Sequence, residues 1–150
     1  MAIPLYELTS KKTEFIWKDI HQEAFTKIQN SMINLPSLAA PQDNGELLLK
    51  CDASGVALGC VLSQYISGKE YPIAFASRKL NRAETKYSTI DREILAIVWA
   101  TKKLRHYLID RLFSMEKYHN PLKYLSRFKD AHNRRSRWLM HLKEFNFEID

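Results

Sequence analysis

A mixed α/β sheet with helices on its faces is the fold class this sequence predicts, and three observations predict it. Between Glu46 and Ser77, three apolar runs follow one another with only turn residues between them. Two later alternating runs, 111–117 and 145–150, each come after a helical pattern and so rejoin the sheet by crossovers. A chain of 150 residues is one domain, or one domain with an appended segment, and buries about 70% of its unfolded surface.

Each element has its own signal. FIWKDIHQEAFTKIQNSMINLPSL reads as a helix capped by Asp19, with Ile20, Phe25, Ile28, Met32 and Ile33 near helical spacing and Pro36 as its stop. APQDNGE is a turn or loop. The first strand runs to about Asp52, the second covers about Leu58 to Tyr65, and the third Tyr71 to Ser77. ISGKE, with Gly68, makes the hairpin between the last two. YSTIDREILAIVWATKKLRHYL is the strongest helix. Ser88 and Asp91 have capping-box spacing, and Ile90, Ile94, Ile97, Val98, Thr101, Leu104 and Leu108 form one face. A strand from Arg111 to Lys117, a short helix from about Asn120, a basic helix in DAHNRRSRWLMHLKEF and a final strand in FNFEID complete the order.

Composition narrows the function classes. The hydrophobic share of 45% and charged share of 27% are those of a globular protein. No apolar run approaches the ~20 residues of a membrane span, and MAIPLYELTSKK lacks the pattern of a signal peptide. An intracellular setting, nucleus or cytoplasm, is therefore expected, with no membrane partner. Cys51 and Cys60 are too few for a zinc set and are read as reduced, packed thiols. Residues 1–75 hold six Lys/Arg and eight Asp/Glu, a balance of −2; residues 76–150 hold seventeen and nine, a balance of +8. A basic half suits a polyanion such as nucleic acid, and equally a solvated surface.

Two carboxylates stand in unusual places. Asp52 follows the apolar run Leu47–Leu49 at a strand end, where a carboxylate is costly unless paired or bound to a metal. Glu93 lies in the first turns of the long helix, beside its packed face. Two such groups meeting at one sheet edge are oxygen ligands suited to Mg²⁺. The plainer alternatives are a turn former and a helix-dipole partner. Tyr118 and His119 form a polar pair at a later strand end, where His119 is either a proton-transfer group or a side chain that orders the turn.

CDASGVALGCVLSQ, PIAFASRKLNRAETKYSTIDREILAIVWATKKLRHYL and HNPLKYL together resemble the ribonuclease H domain of reverse transcriptases from gypsy-type LTR retrotransposons. The segment FIWKDIHQEAFTKIQNSMINLPSLAAP resembles the connection that precedes that domain. The resemblance spans about Pro4 to Ile149 and implies the ribonuclease H-like fold, a five-stranded mixed sheet flanked by helices. It implies residues 1–44 as a connection-like helical segment and 45–150 as the domain, without its final C-terminal segment. It further implies hydrolysis of the RNA strand of an RNA–DNA hybrid by two Mg²⁺ ions held by four carboxylates.

Within that pattern Asp52 and Glu93 match the first two carboxylates. The third, an Asp just before the motif's His, is replaced by Tyr118, with His119 as the His. The fourth belongs to a segment after the last strand, beyond Asp150. A phenol, with a pKa near 10, offers Mg²⁺ little at neutral pH. The expectation is an incomplete metal site and very low or no cleavage. Glu116, on the same strand face as Tyr118, is a weaker substitute. Hybrid or other nucleic acid is expected to contact Ser54, Lys102, Lys103, Arg105, Arg134, Arg135 and Arg137. Their alternatives are a turn, a helix C-terminus complementing its dipole, and a solvated helix face. Trp17, Trp99 and Trp138 are read as core or interface before base-stacking groups. The other functional reading is a host-adopted scaffold that binds a protein partner or forms a homodimer.

Overall fold

The computed structural model describes residues 2–10, 13–33, 37–43, 45–116 and 134–149. Tyr118, His119 and the helix expected from Asn120 lie outside the described residues. The chain divides into two compact units, Met1–Ser37 and Leu38–Asp150. The division falls before residue 44 because the intervening segment is tied to the sheet. Ala39 N–H donates to Pro72 O, Gln64 Nε2 donates to Gln42 O at 2.6 Å, and Gln42 N–H returns a bond to Gln64 Oε1 at 2.9 Å.

The first unit holds α1 (Ile3–Leu8) and α2 (Asp19–Ile33). Asp19 begins α2, and the His21 ring accepts the Lys18 N–H at 2.8 Å just before it. Only His21 and Ala24 are buried on α2, whereas Ile20, Phe25, Met32 and Ile33 are exposed. So short a unit has little apolar surface with which to cover the stripe. Trp17 packs its ring near His21 and Phe25, with centroids 5.9 and 6.2 Å away.

The second unit is one five-stranded sheet in the order β3-β2-β1-β4-β5, with β1 (Glu46–Ala53), β2 (Ala57–Ile66), β3 (Lys69–Lys79), β4 (Leu112–Met115) and β5 (Asn146–Ile149). The first three strands pair antiparallel as a meander, and β4 and β5 add parallel to β1 and β4. The sheet is therefore mixed and five-stranded, as the sequence implies. Ser67 and Gly68 make the β2–β3 turn, both at positive φ (52° and 78°), the two-residue geometry that matches strand twist.

The long helical pattern becomes α3 (Thr89–Lys103) and a short α4 (Arg105–Leu108), separated at Leu104. Ile94, Val98, Thr101, Leu104 and Leu108 are buried along it, while Ile90 stays exposed. They meet Leu47, Leu49, Leu58, Leu62 and Phe113 of the sheet. The basic helix is α5 (Arg134–Leu142), which adds buried Trp138 and Leu142 to the same layer. A bidentate pair from Arg78 to Glu84, 2.6 and 2.9 Å, locks the β3–α3 connection. Arg78 also lies over Trp99, 5.7 Å from its centroid, so Trp99 packs and does not project.

Candidate nucleic-acid interface and carboxylate site

Alternation along β1 decides where Asp52 points. Leu47, Leu49 and Cys51 pack toward α3, so Leu48, Lys50 and Asp52 occupy the other face. That face bears a cleft of about 670 Å³ whose walls include Lys50, Asp52, Val61, Phe75, Ser77 and Glu116. Asp52 and Glu116 thus share one cleft. Lys50, two residues before Asp52 on β1, lines the same cleft. Its Nζ is 3.0 Å from Glu70 and 3.8 Å from Glu116. The hydrogen bond to Glu70 raises the Lys50 pKa above its ordinary 10.5, against the effect of burial. Glu70 is in turn held below its ordinary range, first by the Ser63 hydroxyl and then by Lys50.

Glu93 is half-buried on the second turn of α3. Ser88 caps that helix, accepting the Asp91 N–H at 3.1 Å. The turn after β1 reaches the same helix end. Arg92, next to Glu93, lays its guanidinium against Gly55, where a Cβ would stand 3.4 Å from Nη1. Asp52 and Glu93 are therefore delivered to one end of the sheet by two segments in contact. Among the described residues no three His, Cys, Asp or Glu side chains come together to hold a metal ion. A two-cation site needs more carboxylates than this pair, and Glu116 is engaged by Lys50. Ser54 uses its hydroxyl within the turn, accepting from Val56 N–H (3.2 Å) and Ala57 N–H (2.9 Å). Cys51 and Cys60 are free thiols pushed upward in pKa, by burial first.

The basic residues sort into two groups. Lys102, Lys103 and Arg137 are exposed. Arg105 is exposed too, but bonds Glu144 at 2.6 Å. Arg134 and Arg135 turn inward to Asp91: Arg135 Nε meets Oδ1 at 2.6 Å and Arg134 Nη2 meets Oδ2 at 3.1 Å. Arg134 also stacks on Tyr87, 3.7 Å from the ring centroid. Burial alone would raise the Asp91 pKa, but Arg135, Ser88 and Arg134 outweigh it and hold it below 3.8. Two of the arginines expected on phosphates thus join α3 to α5. The sequence signal for Asp91 was its capping spacing, which covers only one half of its role. Arg92 and Lys50 carried no sequence signal, because neither the turn contact nor the parallel register can be read from spacing.

The family of RNase H-like domains found in reverse transcriptase matches residues 17–115. The chain is 40% identical over its whole length to the retrovirus-related Pol polyprotein from transposon 297 of Drosophila melanogaster, and spans 14% of it. It is 34% identical over 98% of its length to the transposon Tf2-3 polyprotein of Schizosaccharomyces pombe, of which it spans 11%. The foamy viral protease-reverse transcriptase has the same fold in two solved structures. Its complex with double-stranded DNA aligns with 99% of this chain and 33% of its own, at TM-score 0.73 and 19% identity. Its complex with an RNA/DNA hybrid aligns with 99% and 21%, at TM-score 0.70 and 21% identity. The sheet order and these matches have one conclusion: the chain belongs to the RNase H-like domains of retrotransposon reverse transcriptases.

Proposed function

We propose that this chain is a nucleic-acid-binding module of a reverse transcriptase that holds an RNA–DNA hybrid and cleaves it very weakly or not at all. The observation that carries the reading is Tyr118, a phenol where the family motif has its third carboxylate. The engagement of Glu116 by Lys50 supports it, since the nearest described substitute is already paired. Binding is supported by the +8 balance of residues 76–150 and by the exposed Lys102, Lys103 and Arg137. The solved relative bound to an RNA/DNA hybrid supports the choice of ligand. When bound, divalent cations supply an activated water and a stabilised leaving oxygen in this family. Asp52 and Glu93 are the side chains that would hold one.

The test combines the purified protein with a labelled RNA–DNA duplex and Mg²⁺ or Mn²⁺. The expected result is binding whose affinity falls steeply with salt, by a slope of about −0.9 per phosphate neutralised, and no cleavage. Turnover abolished by Asp52→Asn overturns the loss of cleavage. Absence of hybrid binding, with a dimer by light scattering, favours the protein-interaction scaffold instead.

A further inference from the structure

Cys51 and Cys60 stand directly opposite each other on β1 and β2, in an unbroken antiparallel register. Two bonds at the strand ends decide what kind of pair they form. Ser54 N–H donates to Ala57 O at 2.9 Å, so these two residues are a hydrogen-bonded pair. Such pairs recur at every second residue of an antiparallel ladder. Asp52 with Gly59 and Lys50 with Val61 are therefore bonded pairs, and Cys51 with Cys60, between them, is not. The other side of β2 agrees. Leu80 N–H donates to Val56 O at 2.8 Å, and the same alternation turns the Cys60 backbone to Ala76 of β3 and away from Cys51.

A non-bonded pair brings its Cα atoms to about 4.5 Å and its side chains closer than a bonded pair does. Disulfides span Cα separations of ~4.4–6.8 Å. Both cysteines are free and pack in the same core layer under α3. Burial first, and then the field of Cys60, push the Cys51 thiol upward in pKa. We propose that Cys51 and Cys60 are a redox-sensitive pair that closes to a cross-strand disulfide with a peroxide as oxidant. One sulfur attacks hydrogen peroxide and the O–O bond breaks, leaving a sulfenic acid and one water. The facing sulfur then displaces the sulfenic oxygen: the S–S bond forms, the S–O bond breaks and a second water leaves. Two thiols and one peroxide thus give one disulfide and two waters. Burial makes the first step slow, since Cys60 is only 5% exposed and protonated thiols are poor nucleophiles. Proximity makes the second step fast and spares the sulfenic acid from further oxidation. The bridge staples to β2 the end of β1 that carries Asp52, and it stands independently of the nucleic-acid reading.

The experiment treats the whole chain with hydrogen peroxide, then denatures it and alkylates the remaining thiols. Intact mass is expected to show both thiols blocked with the loss of two hydrogens, and a peptide map to join the Cys51 and Cys60 peptides. Dithiothreitol is expected to restore both thiols. The oxidised form is expected to melt about 5 °C higher, because the bridge closes a short loop in the unfolded chain. Cys51→Ala and Cys60→Ala are each expected to form no bridge and to carry a sulfinic acid at the remaining sulfur instead. Two thiols still open to alkylation, in buffer and in sub-denaturing urea alike, overturn the proposal. So does sulfinic acid at both sites of the wild type, or a bridge that joins two chains. An intrachain bridge that lowers the melting temperature overturns the staple and leaves the redox pair.

Discussion

Asp91 illustrates how one side chain acquires two functions. Its backbone N–H takes the Ser88 cap, and its carboxylate, only 8% exposed, takes two arginines from α5. Removing one member of a buried ion pair leaves the others uncompensated. Asp91→Ala is therefore expected to lower unfolding stability by about 3 kcal/mol, measured by urea denaturation. His141 is a second such residue. The Thr101 hydroxyl lies within hydrogen-bond reach of the Ile97 and Val98 carbonyls and of His141 Nε2, at 3.0 Å. Burial lowers the His141 pKa below 6.5, helped by Lys102 and Arg105 and opposed by Glu144. The folded state thus binds fewer protons than the unfolded one. Its contribution to stability is present above about 6.5 and is lost as pH falls below it toward the depressed folded value. Wild-type melting temperature is expected to fall between pH 7.5 and 5.5 by more than that of His141→Gln.

At the level of elements, turns and amphipathic faces were legible and pairings were not. The Ser67–Gly68 turn lies inside the predicted loop because Gly is the residue for positive φ. Ser67 also adopts positive φ, at 52°, where Asn is better tolerated. Ser67→Asn is expected to stabilise the protein by about 0.5 kcal/mol, read from the melting temperature. The face of α3 was legible because Ile94, Val98 and Thr101 repeat at helical spacing and lie over a sheet. The stripe on α2 has the same spacing yet stays largely exposed, since periodicity reports a face and not what covers it. Asp52 and Glu93 stood out because a carboxylate beside an apolar run is conspicuous. The Lys50–Glu116 and Asp91–Arg135 pairs did not, because each joins residues distant in sequence through register and packing.

For the whole molecule, the antiparallel meander and the parallel additions differ in how far apart their partners lie along the chain. β2 pairs with β1 and β3 across short turns, whereas Leu47 meets Phe113, and Phe113 meets Phe147. Closing such distant contacts is slow, because chain entropy is spent before the contacts form. The meander is expected to hold its amides longer than β4 and β5 in native-state hydrogen exchange, with the β4–β5 ladder opening in smaller steps. Equal protection of Leu62 and Ser114 amides would count against this.

The register of β4 thereby sets a clock as well as a geometry. Asp52 belongs to an early-forming hairpin, but the wall of its cleft that carries Glu116 arrives only when β4 docks beside β1. A nascent chain emerging from the ribosome would display Asp52, Ser54 and Gly55 well before any complete cleft exists. The cleft is expected to close only after the hairpin has formed, and to open before the hairpin does.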